Sequence, residues 1–235
     1  SLTMPRQGLG NSAIAAVANE EQLARFGNCW AAMAITEPGC GSDSAAVRTT
    51  AVKDGDDYII NGEKIFVTSG ERADAVVVWA TVDKNLGKAA IKSFVVEKGT
   101  PGMEVTRLEK KLGIKASDTA SISFNDCRVP RANLLGTEEV NAEKGFAGVM
   151  QTFDNTRPVV AAMAVGVATA SIERTKELLS KQGVPFDYSR PSKLSSQLQA
   201  DVYKMEAELE AARLLTIRAA WMADNKDVWS SWIAN

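Results

Sequence analysis

The chain has 235 residues and not one of them is histidine. That absence excludes Ser-His-Asp and Cys-His nucleophilic sites, His-ligated zinc and non-haem iron, and imidazole general bases. Cysteine is scarce: Cys29, Cys40 and Cys127 are odd in number, and no two stand at metal-ligand spacing. A disulfide framework and a cysteine zinc site are both poor readings, and a reducing compartment is the default. No run approaches the roughly 18 consecutive apolar residues of a membrane span. No charged-then-apolar leader opens the chain, although Ser1 to Gln7 need not be a native start. With 27 basic and 29 acidic side chains the net charge is −2, so there is no broad positive field for nucleic acid. Chemistry must come from carboxylates, hydroxyls, backbone groups or a bound cofactor.

What is present describes an ordinary soluble globule. The chain is 45% hydrophobic and 24% charged, enough to bury a real core in one large domain or two smaller ones. Its organisation changes near residue 140. Before that point, short β-branched and aromatic runs alternate with Gly, Asp and Asn. The run Val47–Val52 meets Asp54-Gly55-Asp56-Asp57 and then Tyr58-Ile59-Ile60. Asn61-Gly62 then leads into Lys64–Thr68, a strong hairpin signal. Further strands are expected at Ala75–Thr81, Lys92–Glu97, Met103–Glu109 and Thr119–Phe124. The count is about seven, at the close spacing of an antiparallel barrel or sandwich.

From about Ala142 the apolar period becomes helical, with Phe146, Met150 and Phe153, then Val159, Val160, Met163 and Val167. Pro158 falls inside this pattern and predicts a kink or a restart. Residues 183–193 contain two prolines and read as a loop. A second long helix is expected from about Leu194 to Asp224, with Leu198, Val202, Met205, Leu209, Ala212 and Leu215 on one face. The fold class is therefore α+β: an antiparallel β domain, then long antiparallel helices.

Three clusters carry the chemistry. In Ile35-Thr36-Glu37-Pro38-Gly39-Cys40-Gly41-Ser42-Asp43, two glycines flank one residue, so the backbone can turn sharply and approach a flat ligand. Thr36 and Ser42 add hydroxyls at the ends of the loop. The same spacing equally suits a plain connection between strands. It is neither a Rossmann fingerprint nor a Walker A loop. The second cluster, Asn61-Gly62-Glu63-Lys64 to Phe66-Val67-Thr68-Ser69-Gly70, reads alone as an ordinary hairpin. The third, Phe153-Asp154-Asn155-Thr156-Arg157-Pro158, puts a carboxylate and a guanidinium three apart on one helical face. That is either a local ion pair or an anion site suited to a phosphate or nucleotide.

Together these motifs resemble the acyl-CoA dehydrogenase family. T-E-P-G-x-G-S-D is followed by N-G-x-K-x-x-x-T-S-G, then Leu112–Thr119, then Phe124 with Val129-Pro130 and Asn133–Gly136. The F-D-x-T-R-P-V-V-A-A run is similar to the family's medium-chain type. The resemblance extends over roughly residues 20–180 and implies three parts: an N-terminal helical domain, a central β domain and a C-terminal four-helix bundle. Residues 1–29 would be the end of the first part, 30–140 the second, and 141–235 roughly the first two helices of the third. The chain then looks like a fragment or a shortened member.

The resemblance further implies FAD and the α,β-dehydrogenation of an acyl-CoA thioester to a 2-enoyl-CoA, as in fatty acid β-oxidation. Met33, Ile35 and Thr36 would meet the isoalloxazine edge through backbone and hydroxyl. Gly41 would belong to the FAD site, and Ser42 would meet the FAD phosphate or the pantetheine arm. Phe66 stands where the family usually has a tryptophan against the flavin, and Thr68 matches the hydroxyl near N5. Asp154 and Arg157 match the pair that contacts the CoA adenosine portion. No catalytic base is found: the family's glutamate has two places, one matching Thr156 and the other beyond this chain. The family's R-x-x-F-G is replaced by Lys181–Asp187, without the arginine that meets pyrophosphate from an adjacent subunit. An electron-transfer flavoprotein would be the electron acceptor, and the assembly a homo- or hetero-tetramer in the cytoplasm or the mitochondrial matrix. Two further readings stand beside the dehydrogenase: a noncatalytic subunit completing a partner's FAD site, and an acyl-CoA oxidase.

Overall fold

The computed structural model of the protein describes residues 8–140, 147–189 and 195–225, the side chains of 147–155 excepted. Two compact units divide it, the first ending at Thr152 and the second beginning at Phe153.

The first unit opens with two short helices, α1 (Leu9–Val17) and α2 (Glu20–Phe26). Asn19 starts α2 because its side chain accepts the Gln22 N–H, while Gln22 reaches back to the Asn19 N–H. Seven strands follow: β1 (Ala31–Ala34), β2 (Thr50–Asp54), β3 (Asp57–Thr68), β4 (Ala75–Thr81), β5 (Ile91–Glu97), β6 (Met103–Leu108) and β7 (Thr119–Pro130). Their order is β1-β4-β2-β3-β7-β6, with β5 on β4. The expected β domain is thus present, but its sheet is mixed, since β1 and β2 both run parallel to β4. Every residue of β4 is buried, as expected of a strand covered on both faces. Phe94, Phe124, Ile60, Ile122, Val76 and Val78 form the core with Tyr58.

One turn lies elsewhere than the sequence predicts. Asn61-Gly62 is no hairpin: β3 runs straight through it for 12 residues. The turn is Gly55-Asp56, closed by the Asp54–Asp57 pair, with Gly55 at a φ of 63° in the first central position. Gly62 serves a close approach instead. At a φ of 150°, a Cβ there would stand 2.4 Å from the Thr49 Oγ1 and 2.8 Å from the Thr49 Cα.

Two long helices follow among the described residues, α3 (Ala147–Lys181) and α4 (Gln197–Asp224). Of the kink or restart expected at Pro158, the restart does not occur: the helix continues through it, and the proline costs one backbone donor. α4 begins three residues later than expected, because Ser196 caps it in a reciprocal pair with Gln199. Lys176 of α3 pairs with Glu206 of α4 at 2.7 Å, and Tyr188 from the connection also bonds Glu206. Val202 of the predicted apolar face is buried, whereas Leu198, Met205 and Leu215 are exposed. No helix among the described residues is long and apolar enough to cross a membrane.

The Gly62 contact yields a stability prediction. Gly62→Ala should lower stability by about 1–3 kcal/mol, through positive φ and the Thr49 clash, read as a fall in urea midpoint at unchanged slope. Gly113→Ala, where a Cβ meets nothing within 4 Å, should stay within about 0.5 kcal/mol of the parent. Equal losses at the two positions would show that the close approach is not what requires glycine.

Candidate functional site

The loop that follows β1 is built around a lysine taken wholly out of water. Tyr58, Ile60, Gly62 and Lys64 fall on one face of β3 by strand alternation, and Lys64 therefore points where the core residues point. Its side chain is 0% exposed. Glu37 lies opposite, 6% exposed, with its Oε1 2.7 Å from the Lys64 Nζ. Lys64 also donates to the Ile35 carbonyl at 3.1 Å. The carboxylate accepts three more bonds: the Arg48 N–H at 2.7 Å, the Thr49 N–H at 2.9 Å and the Thr49 hydroxyl at 2.6 Å.

Burial raises the Glu37 pKa, but the Lys64 ammonium and the bonds from Lys64 and Thr49 outweigh it and hold the carboxyl below its ordinary value. Burial also lowers the Lys64 pKa, against the opposing pull of Glu37. The first shift favours the ionised pair and the second opposes it. The Arg48 and Thr49 donors decide for the ionised form, because a neutral carboxyl accepts so many bonds poorly.

The same contact distorts β3. Its register with β7 shifts between Lys64 and Val67, and the Ile65 N–H leaves the ladder to donate to the Thr36 carbonyl at 2.9 Å. Phe66, next in the chain, takes a φ of 57° and presents a ring that is 58% exposed. An aromatic at positive φ is uncommon for a residue with a Cβ and is held only by its surroundings. Thr68, half-buried, returns to the ladder opposite Thr119.

These contacts bring the first-unit candidates into one region. Met33 lies in β1, Ile35 and Thr36 follow it, and Thr36 is tied to the strand that carries Phe66 and Thr68. Gly41 and Ser42 lie exposed beyond a tight turn in which the Glu37 and Cys40 backbones bond each other. A Cβ on Gly41 would meet nothing within 4 Å. The side chain of Asp154 falls outside the described residues, and Arg157 is half-buried in the second unit. Lys181 pairs with Glu177 at 2.6 Å.

The candidate donors are neutral, hydroxyls and backbone amides with Phe66 exposed nearby in the chain, and the buried charges among the described residues, Lys64 and Glu37, pair with each other. Such a donor set suits a flat heteroaromatic group and fits a flavin, whereas no cluster suited to a metal occurs among the described residues. Thiolate chemistry is also disfavoured, since burial pushes Cys127 up to about 11 and raises Cys40. Sequence reading missed the Lys64–Glu37 pair, although a lysine at a core-facing strand position is a legible signal.

Residues 32–127 match the model for the acyl-CoA dehydrogenase middle domain, and residues 143–230 match that for the C-terminal domain. The chain belongs to the acyl-CoA dehydrogenase family. It is 39% identical over 211 residues to cyclohex-1-ene-1-carbonyl-CoA dehydrogenase of Syntrophus aciditrophicus, covering 88% of this chain and 49% of that one. Butyryl-CoA dehydrogenase from Megasphaera elsdenii superposes with a TM-score of 0.82 at 33% identity, over 96% of this chain and 59% of that one. A chain solved in work on the electron transferring flavoprotein of Acidaminococcus fermentans also gives 0.82, at 37% identity, over 95% of this chain and 58% of that one. The chain spans about half the length of the curated relatives it matches.

The acyl-CoA dehydrogenase loop should depend on its buried pair in a way a double variant exposes. Lys64→Met leaves an unpaired buried carboxylate and should cost about 3–5 kcal/mol, whereas adding Glu37→Gln should recover most of that loss. Because the folded Glu37 pKa is depressed, its stabilisation is full above the unfolded value of about 4.3 and is lost as pH falls through the folded value. Urea melts across that range should therefore show a shallower acid limb in Glu37→Gln. Strictly additive losses would refute the coupling.

Proposed function

We propose that this chain forms the flavin- and acyl-CoA-binding part of an FAD-dependent acyl-CoA dehydrogenase, which converts an acyl-CoA thioester to the 2-enoyl-CoA. The observation that carries the reading is the neutral donor rim with Phe66 exposed at positive φ, within the loop motif of this family.

Met33, Ile35 and Thr36 are assigned to the edge of the isoalloxazine, with Thr36 adding its hydroxyl. Phe66 provides the aromatic wall, and Thr68 the hydroxyl near N5. Gly41 is assigned to the FAD site, Ser42 to the FAD phosphate or the pantetheine arm, and Asp154 and Arg157 to the adenosine end of CoA. FAD, when bound, accepts the β-hydrogen as hydride and so supplies the redox step. The residues here orient and shield. Their hydroxyl and amide donors favour the negative charge that develops as the α-proton leaves. That proton goes to a glutamate that none of these assignments supplies, since Thr156 carries no carboxylate.

Residues 1–29 are read as the end of an N-terminal helical domain, 30–140 as the β domain and 141–235 as part of the helical bundle. An electron-transfer flavoprotein is the proposed electron acceptor and a tetramer the proposed assembly, in the cytoplasm or the mitochondrial matrix. The pairing of Lys181 with Glu177 favours a second reading, a noncatalytic subunit that completes a partner's FAD site. There the lysine is already engaged and lacks a guanidinium's two-pronged geometry.

The visible spectrum of the full natural protein containing these residues separates the two. The dehydrogenase reading expects a flavin band that bleaches on anaerobic addition of butyryl-CoA or another saturated acyl-CoA. A flavin band that persists with every acyl-CoA tried defeats the catalytic reading and supports the subunit. A protein free of flavin that also takes up no added FAD defeats the dehydrogenase reading and favours the subunit that completes a partner's site.

A further inference from the structure

A trans peptide carries its C=O and its N–H on opposite sides, and no cis peptide bond occurs among the described residues. Lys64 reaches the Ile35 carbonyl from the buried interior. The Thr36 N–H, on the other side of that peptide, therefore points away from the core lysine. The next carbonyl, that of Thr36, is taken by the Ile65 N–H. Two successive peptides are thus clamped, one by a side chain of β3 and one by its backbone.

The other end of the loop closes on the same pair. Glu37 accepts from Lys64 and also from Arg48 and Thr49, so the arc between residues 37 and 48 leaves from and returns to one carboxylate. That arc carries Gly41 and Ser42. On the strand side, Lys64 immediately precedes the bulged Ile65 and the positive-φ Phe66. One buried ion pair consequently holds Ile35 just after β1, both ends of the 37–48 arc and the strand that carries Phe66 and Thr68, while its own charged atoms are buried.

We propose that the Lys64–Glu37 pair is a positioning device for the flavin. It presets the Thr36 N–H, the Gly41–Ser42 arc and the Phe66 ring so that the ordering of the loop precedes binding. The proposal rests on the flavin reading above. Lys64 and Glu37 are positioning residues and not catalytic ones, since they act through the groups they hold. A preset loop binds more tightly because less conformational freedom is lost on binding.

The test uses the full natural protein containing these residues, with its FAD removed and then restored. Amide hydrogen exchange in the unaltered protein should show the Thr49 N–H slow in both states. The Thr36 N–H should exchange fast in the apoprotein and slow at least about tenfold once FAD is added. The Glu37→Gln/Lys64→Met double variant, held well below its unfolding temperature, should bind FAD at least about tenfold more weakly, with a visible band whose vibrational shoulders are blurred. Glu37→Gln alone keeps the Lys64–Ile35 bond and should lie between the two. A merely structural pair would lower the unfolding temperature and leave the folded variant's affinity and band shape alone, and that result overturns the proposal. If the double variant does not fold, exchange in the unaltered protein decides: a Thr36 amide already protected without FAD, or unmoved by it, also overturns the proposal. An unaltered protein that takes up no FAD removes the flavin reading and this inference together. One that binds FAD with no response at Thr36 removes only the inference.

Discussion

A lysine ammonium taken wholly out of water keeps its charge only where other groups replace its hydration. Here those groups are the Glu37 carboxylate and the Ile35 carbonyl, and both belong to the loop that carries the candidate ligand groups. The desolvation cost of Lys64 therefore acts on the loop: any rearrangement that moves Glu37 or Ile35 away strands a buried charge. The loop is held by the penalty for leaving as much as by the attraction of the pair. The bulge in β3 has the same origin, because Ile65 gives up its place in the ladder to bond Thr36.

This arrangement keeps the buried ion pair apart from the neutral candidate groups. The candidate hydroxyls and amides and the exposed Phe66 are neutral, while the buried Lys64 and Glu37 charges satisfy each other. A neutral rim of this kind suits a cofactor that brings its own reactivity and needs orientation from its protein. The lack of histidine and the raised cysteine pKa values agree with that division, since no side chain of the rim has the reactivity of a thiolate or an imidazole.

Much of this was legible in the sequence where the controlling forces are local. The strand at Ala75–Thr81 is legible to the residue, because the apolar run Ala75–Ala80 opens after Asp74 and β-branched Thr81 extends it. The two long helices followed from their period, and the clustered motifs identified the family. Errors arose where a distant segment overrides a local preference. Asn61-Gly62 has the composition of a turn, yet the glycine is there because Thr49 crosses within contact of it. Pro158 offers either a kink or a restart, and the turns on either side of it carry α3 through without the restart. Ser196, and not the first apolar residue, begins α4, because a capping pair with Gln199 satisfies amides that hydrophobic period does not register.

By itself the sequence determined the α+β class and the family and supplied the short list of candidate residues, since composition, period and motif spacing are properties of contiguous chain. The tertiary structure alone decided that β1 and β2 run parallel to β4, that Phe66 stands at positive φ, and that Glu37 and Lys64 are partners. Those outcomes depend on groups 27 or more residues apart competing for the same buried bonds. No local preference records which of them wins.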